Sequence, residues 1–288
     1  MYGIICKDDL PGHSLFNNYR LALENYFNTK FVEIDEHHSL YNIDTVFIVD
    51  EHFGPHVSIW KTDHFINTVN DRSIKVVVFN FEKIFDALFP WNIDHQRTLE
   101  RIKNLVQFVS DVEDANKLGH KLVNRQLLSI ETILPAGYEG EKLNRILFIG
   151  QTSPNVYNRR RALLASIAQS SLAPFVDVVD TQRKMTYPEY LMTLSKYKYV
   201  LNPLGTGDFI NIRHYEANYY GCTVLQQYTP EMLKHYPELH NGTCFPFQNA
   251  VDIPYPDVIP VATISDTFLE DRFDRIKLDE LIFGKQVL

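Results

Sequence analysis

Short β-rich apolar runs recur through the first half of the chain, at residues 3–6, 31–34, 45–49, 75–79 and 105–109. Between them, residues 15–27 and 58–69 place apolar side chains at helical spacing. Strand and helix signals in alternation predict parallel βαβ units, so this half reads as an open α/β domain. A second cycle starts after Leu134-Pro135-Ala136-Gly137-Tyr138-Glu139-Gly140, whose proline and two glycines mark a linker. It predicts strands at 145–150, 175–180, 199–203 and 223–227, with helices at 160–170, 187–197 and 212–220. Residues 265–283 have the pattern of an amphipathic helix capped by Ser265 or Asp266.

The expected fold is therefore α/β: two Rossmann-like domains with parallel sheets facing a central cleft. Residues 1–138 form the first, 139–264 the second, and 265–288 a helix packing back across the junction. Ligands of such sheets sit outside the C-terminal ends of the strands.

Length and composition agree with two globular domains. The chain has 288 residues, 45% hydrophobic and 22% charged, and ~150 residues is the usual share of one domain. A net charge of −8 offers no electrostatic reason to bind nucleic acid or an anionic membrane, so an anionic ligand needs a local basic cluster. Cys6, Cys222 and Cys244 are few, odd in number and far apart, which argues against a disulfide framework and a zinc site. The first residues lack the apolar core of a signal peptide, and no run reaches the ~18 residues of a transmembrane helix, so a cytoplasmic location is expected. On that location, the Asn241-Gly242-Thr243 sequon is a turn.

The stretch GTGDFINIRHYEANYYGCTVLQ, residues 205–226, carries the most chemistry. Gly205-Thr206-Gly207 follows a strand, where a bare backbone can approach a phosphate closely. The next helix points its N-terminus at the same place and ends at Gly221. Glu216 falls mid-helix beside apolar neighbours, a position that needs hydrogen-bond donors. A ribose with two adjacent hydroxyls would supply them; pairing with Arg213 on a solvated face is the other reading. For the glycines the other reading is an ordinary turn. Arg159-Arg160-Arg161 opens a helix against its macrodipole, a conflict that favours an anion site over a solvated helix start.

Glu216-Ala217-Asn218-Tyr219-Tyr220-Gly221-Cys222-Thr223-Val224-Leu225 resembles the E-A-x-x-x-G-x-x-V-[VL] segment of the C-terminal domain of GT-B glycosyltransferases. Eight positions earlier, where many retaining members carry a second Glu, this chain has Asp208, shorter by one methylene. Tyr190, Ser195-Lys196, Leu201-Asn202, then Arg213-His214-Tyr215-Glu216-Ala217 and Gly221 resemble the spore-maturation-type and exostosin-like branch. Residues 146–164, with Phe148-x-Gly150 and the arginines, are similar to the first strand, loop and helix of that domain, and 238–253 to a downstream element. Motif support spans residues 145–253, about half the chain; the first half agrees in architecture only.

The resemblance implies a metal-independent, cofactor-free transferase moving a sugar from a nucleotide-diphosphate sugar, UDP-linked, to a glycan or other hydroxyl acceptor. It implies Glu216 on the ribose, Gly205, Thr206, Gly207 and Asn211 on the diphosphate or sugar, and Asp208 on the donor sugar. Arg160, with Arg159 or Arg213, would neutralise the leaving diphosphate, and Gly150 would end the strand beneath it.

The first domain would carry the acceptor and a general base. Its first strand-end loop holds Asp8, Asp9 and His13, and an imidazole titrating near ~6.5 suits proton removal from a sugar hydroxyl. Asp9 or Ser14 as a helix cap, with His13 on the surface, is the other reading. A second loop offers Asp50, Glu51, His52 and His56. Asp35-Glu36-His37-His38 resembles a metal cluster only superficially, because adjacent residues there face opposite ways.

Three competitors remain. A dinucleotide oxidoreductase fails, because the fingerprint needs a small residue where Ile210 stands. A non-catalytic two-lobe binding protein differs in leaving its ligand unhydrolysed. A phosphorylase or epimerase of the same fold is barely separable by sequence.

Overall fold

A computed structural model describes residues 1–6, 15–34, 40–49, 59–80, 83–84, 91–119, 121–122, 134, 136–154, 156–181, 185–260, 280 and 282–284. The chain divides into two compact units: Met1–Val123 with Asp271–Leu288, and Asn124–Glu270.

Unit 1 is built on a six-stranded sheet of order β2-β1-β3-β4-β5-β6. The strands are β1 (Tyr2–Cys6), β2 (Val32–Glu33), β3 (Thr45–Val49), β4 (Lys75–Asn80), β5 (Leu105–Val109) and β6 (Lys121–Leu122). Each neighbouring pair is parallel, as crossover helices α1 (Leu15–Tyr26), α2 (Asp63–Asp71), α3 (Trp91–Leu99) and α4 (Val112–Leu118) require. Every residue of β3 is buried, as expected of a strand covered on both faces. Helix α2 starts one turn later than its apolar pattern suggests: residues 59–61 make a 3-10 turn, and Thr62 caps the helix by accepting from Phe65 N. Its Phe65, Ile66 and Val69 then join Val46, Ile48, Val76 and Val78 in the core. Tyr2, Phe27, Phe31 and Phe47 form an aromatic cluster that Phe283 completes, while Lys75 Nζ donates to Ile282 O at 2.7 Å. The rest of the expected helix at 265–283 lies outside the described residues except Glu280.

Unit 2 holds a five-stranded sheet of order β11-β10-β9-β7-β8, again parallel throughout. Its elements are β7 (Leu143–Gly150), α5 (Asn158–Ala168), β8 (Val176–Asp180), α6 (Tyr187–Ser195), β9 (Tyr197–Asn202), α7 (Ile212–Tyr219), β10 (Thr223–Gln227) and β11 (Cys244–Phe247). Ile146, Phe148, Tyr199, Leu201, Leu225 and Phe247 from the strands meet Leu163 and Ile167 of α5 in its core. Helix α6 stops at Ser195 because Tyr197 already opens β9. The proline- and glycine-marked segment runs along this unit: Tyr138 N donates to Ser195 Oγ at 2.9 Å, and a Cβ on Gly137 would fall 2.5 Å from the Tyr220 ring.

Both units are α/β with wholly parallel sheets, the expected class. Asn241-Gly242-Thr243 is a turn, in which Asn241 Oδ1 accepts from Thr243 N at 3.2 Å. Among the described residues no helix is long and apolar enough to cross a membrane.

Candidate functional site

The C-terminal ends of β7, β9 and β10 bring Gly150, Asn202 and Gln226 near one another, and the loop after β9 leads into α7. Asn211 caps α7, its Oδ1 accepting from Arg213 N at 3.0 Å. Gly221, with φ of +66°, ends the helix in the left-handed conformation that favours glycine. From Arg213 to Asn218 all six side chains are buried, so α7 has almost no solvent face. A helix carrying Arg, His, Glu and Asn can be buried this way only if each polar group finds a partner.

The partners of Arg213 come from the strand ends. Its Nη1 donates to Asn202 Oδ1 at 3.0 Å, and its guanidinium lies over Phe148 of β7, 5.4 Å from the ring centroid. Asn202 Nδ2 donates in turn to Gln226 Oε1 at 2.6 Å, and His214 Nδ1 meets the same oxygen at 3.1 Å. An amide oxygen can only accept, so that histidine nitrogen carries the proton. Gly150 makes room for the arginine, because a Cβ there would stand 2.3 Å from Arg213 Nη2.

Arg160 reaches the same ring from α5. It is 6% exposed, with its guanidinium 4.2 Å from the Tyr157 ring centroid and 5.7 Å from that of Phe148. Its Nη1 donates to Gln151 O at 2.6 Å, while Nη2 lies 3.5 Å from where a Gly205 Cβ would be. Two buried guanidiniums thus share one aromatic ring between two strand-end glycines. Planar, weakly hydrated guanidinium groups tolerate such stacking, and their donor forks suit phosphate oxygens.

Asp208 is held on both oxygens: Arg159 Nη1 lies 2.7 Å from Oδ1, and Thr229 Oγ1 donates to Oδ2 at 3.1 Å. The first contact ties the 205–210 loop to the start of α5, the second to the segment after β10. Thr206 in that loop is half-buried and Gly207 buried.

Glu216 has no exposed surface. Its Oε1 accepts from the Tyr187 hydroxyl at 2.5 Å and its Oε2 from the Tyr190 hydroxyl at 2.6 Å. The tyrosines are three apart on α6, their rings stacked 5.9 Å apart at 13°. A capping box of Thr186 and Glu189 fixes the first turn of that helix. Burial and the Glu216 charge push the Tyr190 hydroxyl well above its ordinary pKa, so it stays a donor. A solvated pairing of Glu216 with Arg213 is therefore replaced by burial of both side chains, with tyrosine hydroxyls on the carboxylate.

The structure brings Gly150, Arg160, Gly205 and Arg213 together, with Asn211 and Glu216 on the same helix as Arg213. Arg159 meets Asp208 instead of the other arginines. Asp8, Asp9, His13, Asp50, Glu51, His52 and His56, like the 35–38 cluster, lie outside the described residues. Four site residues escaped the sequence reading as functional groups: Phe148, Tyr187, Asn202 and Gln226. Phe148 and Asn202 stood in the resembling motifs without a role, and Tyr187 had a signal in its spacing of three from Tyr190 in a segment with helical pattern.

Neither a protein-family model nor a curated protein matches the sequence. Among solved structures, an O-GlcNAc transferase mutant from Thermobaculum terrenum is similar over 99% of this chain and 64% of its own, at 11% identity and a TM-score of 0.49. A UDP-glucosyltransferase from Polygonum tinctorium matches over 96% of this chain and 79% of its own, at 12% identity and a TM-score of 0.36. The ADP-heptose lps heptosyltransferase II of E. coli matches over 99% of both chains, at 6% identity and a TM-score of 0.28. The chain spans just under two thirds of the length of the first of these proteins, at 64%. At these scores the likenesses carry no weight for function, which rests on the residues of the chain itself.

Proposed function

We propose that the chain is a metal-independent glycosyltransferase that moves a sugar from a nucleotide-diphosphate sugar, UDP-linked, to a hydroxyl of a glycan or similar acceptor. The observation that carries this reading is that one buried helix holds both the Glu216 carboxylate and Arg213, whose guanidinium shares the Phe148 ring with Arg160. A carboxylate held by hydroxyl donors is matched to a ribose, and two clustered guanidiniums to a diphosphate.

In the reaction, the acceptor oxygen attacks the anomeric carbon as the bond to the diphosphate oxygen breaks. Negative charge grows on the leaving nucleoside diphosphate. Arg160 and Arg213 stabilise it there, together with backbone N–H groups of Gly205, Thr206 and Gly207 and the start of α7 at Asn211. Asp208, pinned within that loop by Arg159 and Thr229, would face the donor sugar. The acceptor proton passes to a base among His13, Asp8, Asp9 and Asp50 of the first unit.

Calorimetry with UDP tests the reading. Glu216→Gln keeps the volume and should lower UDP affinity by roughly tenfold or more, because the amide nitrogen that replaces one carboxylate oxygen cannot accept from a ribose hydroxyl and the charge is lost. Unchanged affinity in a folded variant would sink the assignment. Slow release of free sugar from the bound donor separates a transferase from a binding protein, which leaves its ligand intact.

A further inference from the structure

Arg145, Arg159 and Arg213, all in unit 2, are paired against expectation. The side chains of Arg145 and Arg159 are 37% and 43% exposed, and each holds a carboxylate: Asp177 accepts a two-point fork from Arg145 at 2.7 and 2.6 Å, and Asp208 meets Arg159. Arg213 is 8% exposed, yet among the described residues no carboxylate stands within ion-pair distance of it. Its Nη1 is met by the Asn202 amide oxygen and its face by the Phe148 ring, while its Nε has no acceptor among the described residues. Glu216 gives Oε2 to the Tyr190 hydroxyl, which interacts with Arg213 as well. A buried cation selected for stability alone takes a charged partner, because a buried charge left unneutralised is the costliest kind.

The Asn202 amide is held in one orientation. Asn202 and Gln226 are neighbours across the β9–β10 ladder, and both are wholly buried. Gln226 Nε2 donates to the Asn202 and Gln227 carbonyl oxygens at 3.3 and 2.7 Å. Its Oε1 therefore faces the other way, where Asn202 Nδ2 and His214 Nδ1 both donate to it. Turning either amide over would set donor against donor and acceptor against acceptor. With Nδ2 committed to Gln226, Oδ1 is the atom left for Arg213.

We infer that Asn202 is the positioning residue for Arg213, a neutral acceptor that fixes the guanidinium against Phe148 and leaves its positive charge to an incoming phosphate. The inference rests on the reading of Arg213 as a diphosphate contact, and adds what keeps that charge available. A carboxylate at position 202 would hold the guanidinium at least as firmly, but would neutralise it internally, so that a phosphate would have to share it. An apolar side chain there would leave the charge free and the guanidinium unaimed. The amide avoids both faults. Gln226 stands one step behind, setting which end of that amide Arg213 meets.

The test is the ratio of UDP affinity to uridine affinity, by calorimetric titration of UDP and competition with uridine, in the full chain and its variants. Both ligands report on the same folded fraction, so a merely destabilising substitution leaves the ratio unchanged. Arg213→Met should lower the preference for UDP by about tenfold or more. Asn202→Asp, which keeps the size, and Asn202→Ala should each lower it by about tenfold. Asn202→Ala added to Arg213→Met should lower it no further, since the amide acts through the guanidinium. Gln226→Met, which unpins the amide from one residue farther away, should lower it less than either Asn202 variant. An intact preference in a folded Asn202 variant, or additive losses in the double variant, overturns the inference; if neither Asn202 variant folds, an intact preference in Gln226→Met overturns it. An unchanged ratio in Arg213→Met refutes the underlying reading of Arg213 instead, and a wild type with no preference for UDP refutes both.

Discussion

Helices α2 and α7 are nearly equal in length, nine residues and eight, and each lies in a parallel-sheet unit, yet they bury opposite things. Helix α2 turns Phe65, Ile66 and Val69 into the core and leaves Asp63, His64 and Asn67 exposed. Helix α7 buries Arg213, His214, Glu216 and Asn218 along with Tyr215 and Ala217. The first is what stability alone selects, an apolar stripe under a polar face. The second is an expensive arrangement, in which Arg213, His214 and Glu216 are met by Asn202, Phe148, Gln226 and two tyrosine hydroxyls. A helix that departs from the cheap pattern by burying a carboxylate and a guanidinium is where function is to be sought.

Substitutions on either side of this contrast should have separable effects. The largest belongs to α2: Phe65→Ala, emptying a site that is 2% exposed, should cost about 3–5 kcal/mol of unfolding free energy in urea titration. UDP affinity of the folded fraction should not change, and a parallel loss of affinity would erase the distinction between the helices. Next is Gly150→Ala, whose Cβ would collide with Arg213 Nη2. It should lower UDP affinity by roughly tenfold or more while destabilising the fold less than Phe65→Ala does. Intact affinity there would detach Arg213 from the ligand.

The smallest effect concerns pH and belongs to unit 1. Burial, then the nearby charge of Lys61, lowers the His95 pKa from 6.5 to about 4, with the imidazole edge-on to Trp60 at 5.9 Å. The folded state keeps this imidazole neutral where the unfolded chain takes up a proton. Its contribution to stability is therefore complete above about pH 6.5 and declines as pH falls toward about 4. Chemical unfolding at several pH values should show that decline in the wild type and a flatter profile in His95→Phe. Identical profiles would assign the acid sensitivity elsewhere.

What could be read from the sequence follows the same division. Strands β3, β5 and β10 have the expected bounds to the residue, because buried parallel strands leave compact apolar runs between polar loops. Helix α7 and its glycine stop were legible for similarly local reasons. The need of Glu216 for hydrogen-bond donors was visible from its neighbours, but their identity was not. Tyr187 and Tyr190 lie 29 and 26 residues upstream, and the topology that places α6 beside α7 has no local trace in the chain. Asn202 and Gln226 likewise look like ordinary strand ends until adjacent parallel strands put their amides side by side. The late start of α2 had a local signal in Thr62, outweighed by the apolar Ile59 and Trp60 before it.

The bond from Lys75 to Ile282 joins residues 207 positions apart, and Phe283 closes the aromatic cluster around Tyr2 and Phe27. In order of synthesis this makes the units unequal. Unit 2 comes from one uninterrupted stretch, Asn124–Glu270, and its site can assemble once that stretch has emerged. Unit 1 begins first and finishes last, the aromatic cluster of Tyr2 and Phe27 lacking its final ring until Phe283 arrives. For a chain emerging from a ribosome, the half written first is the half completed second.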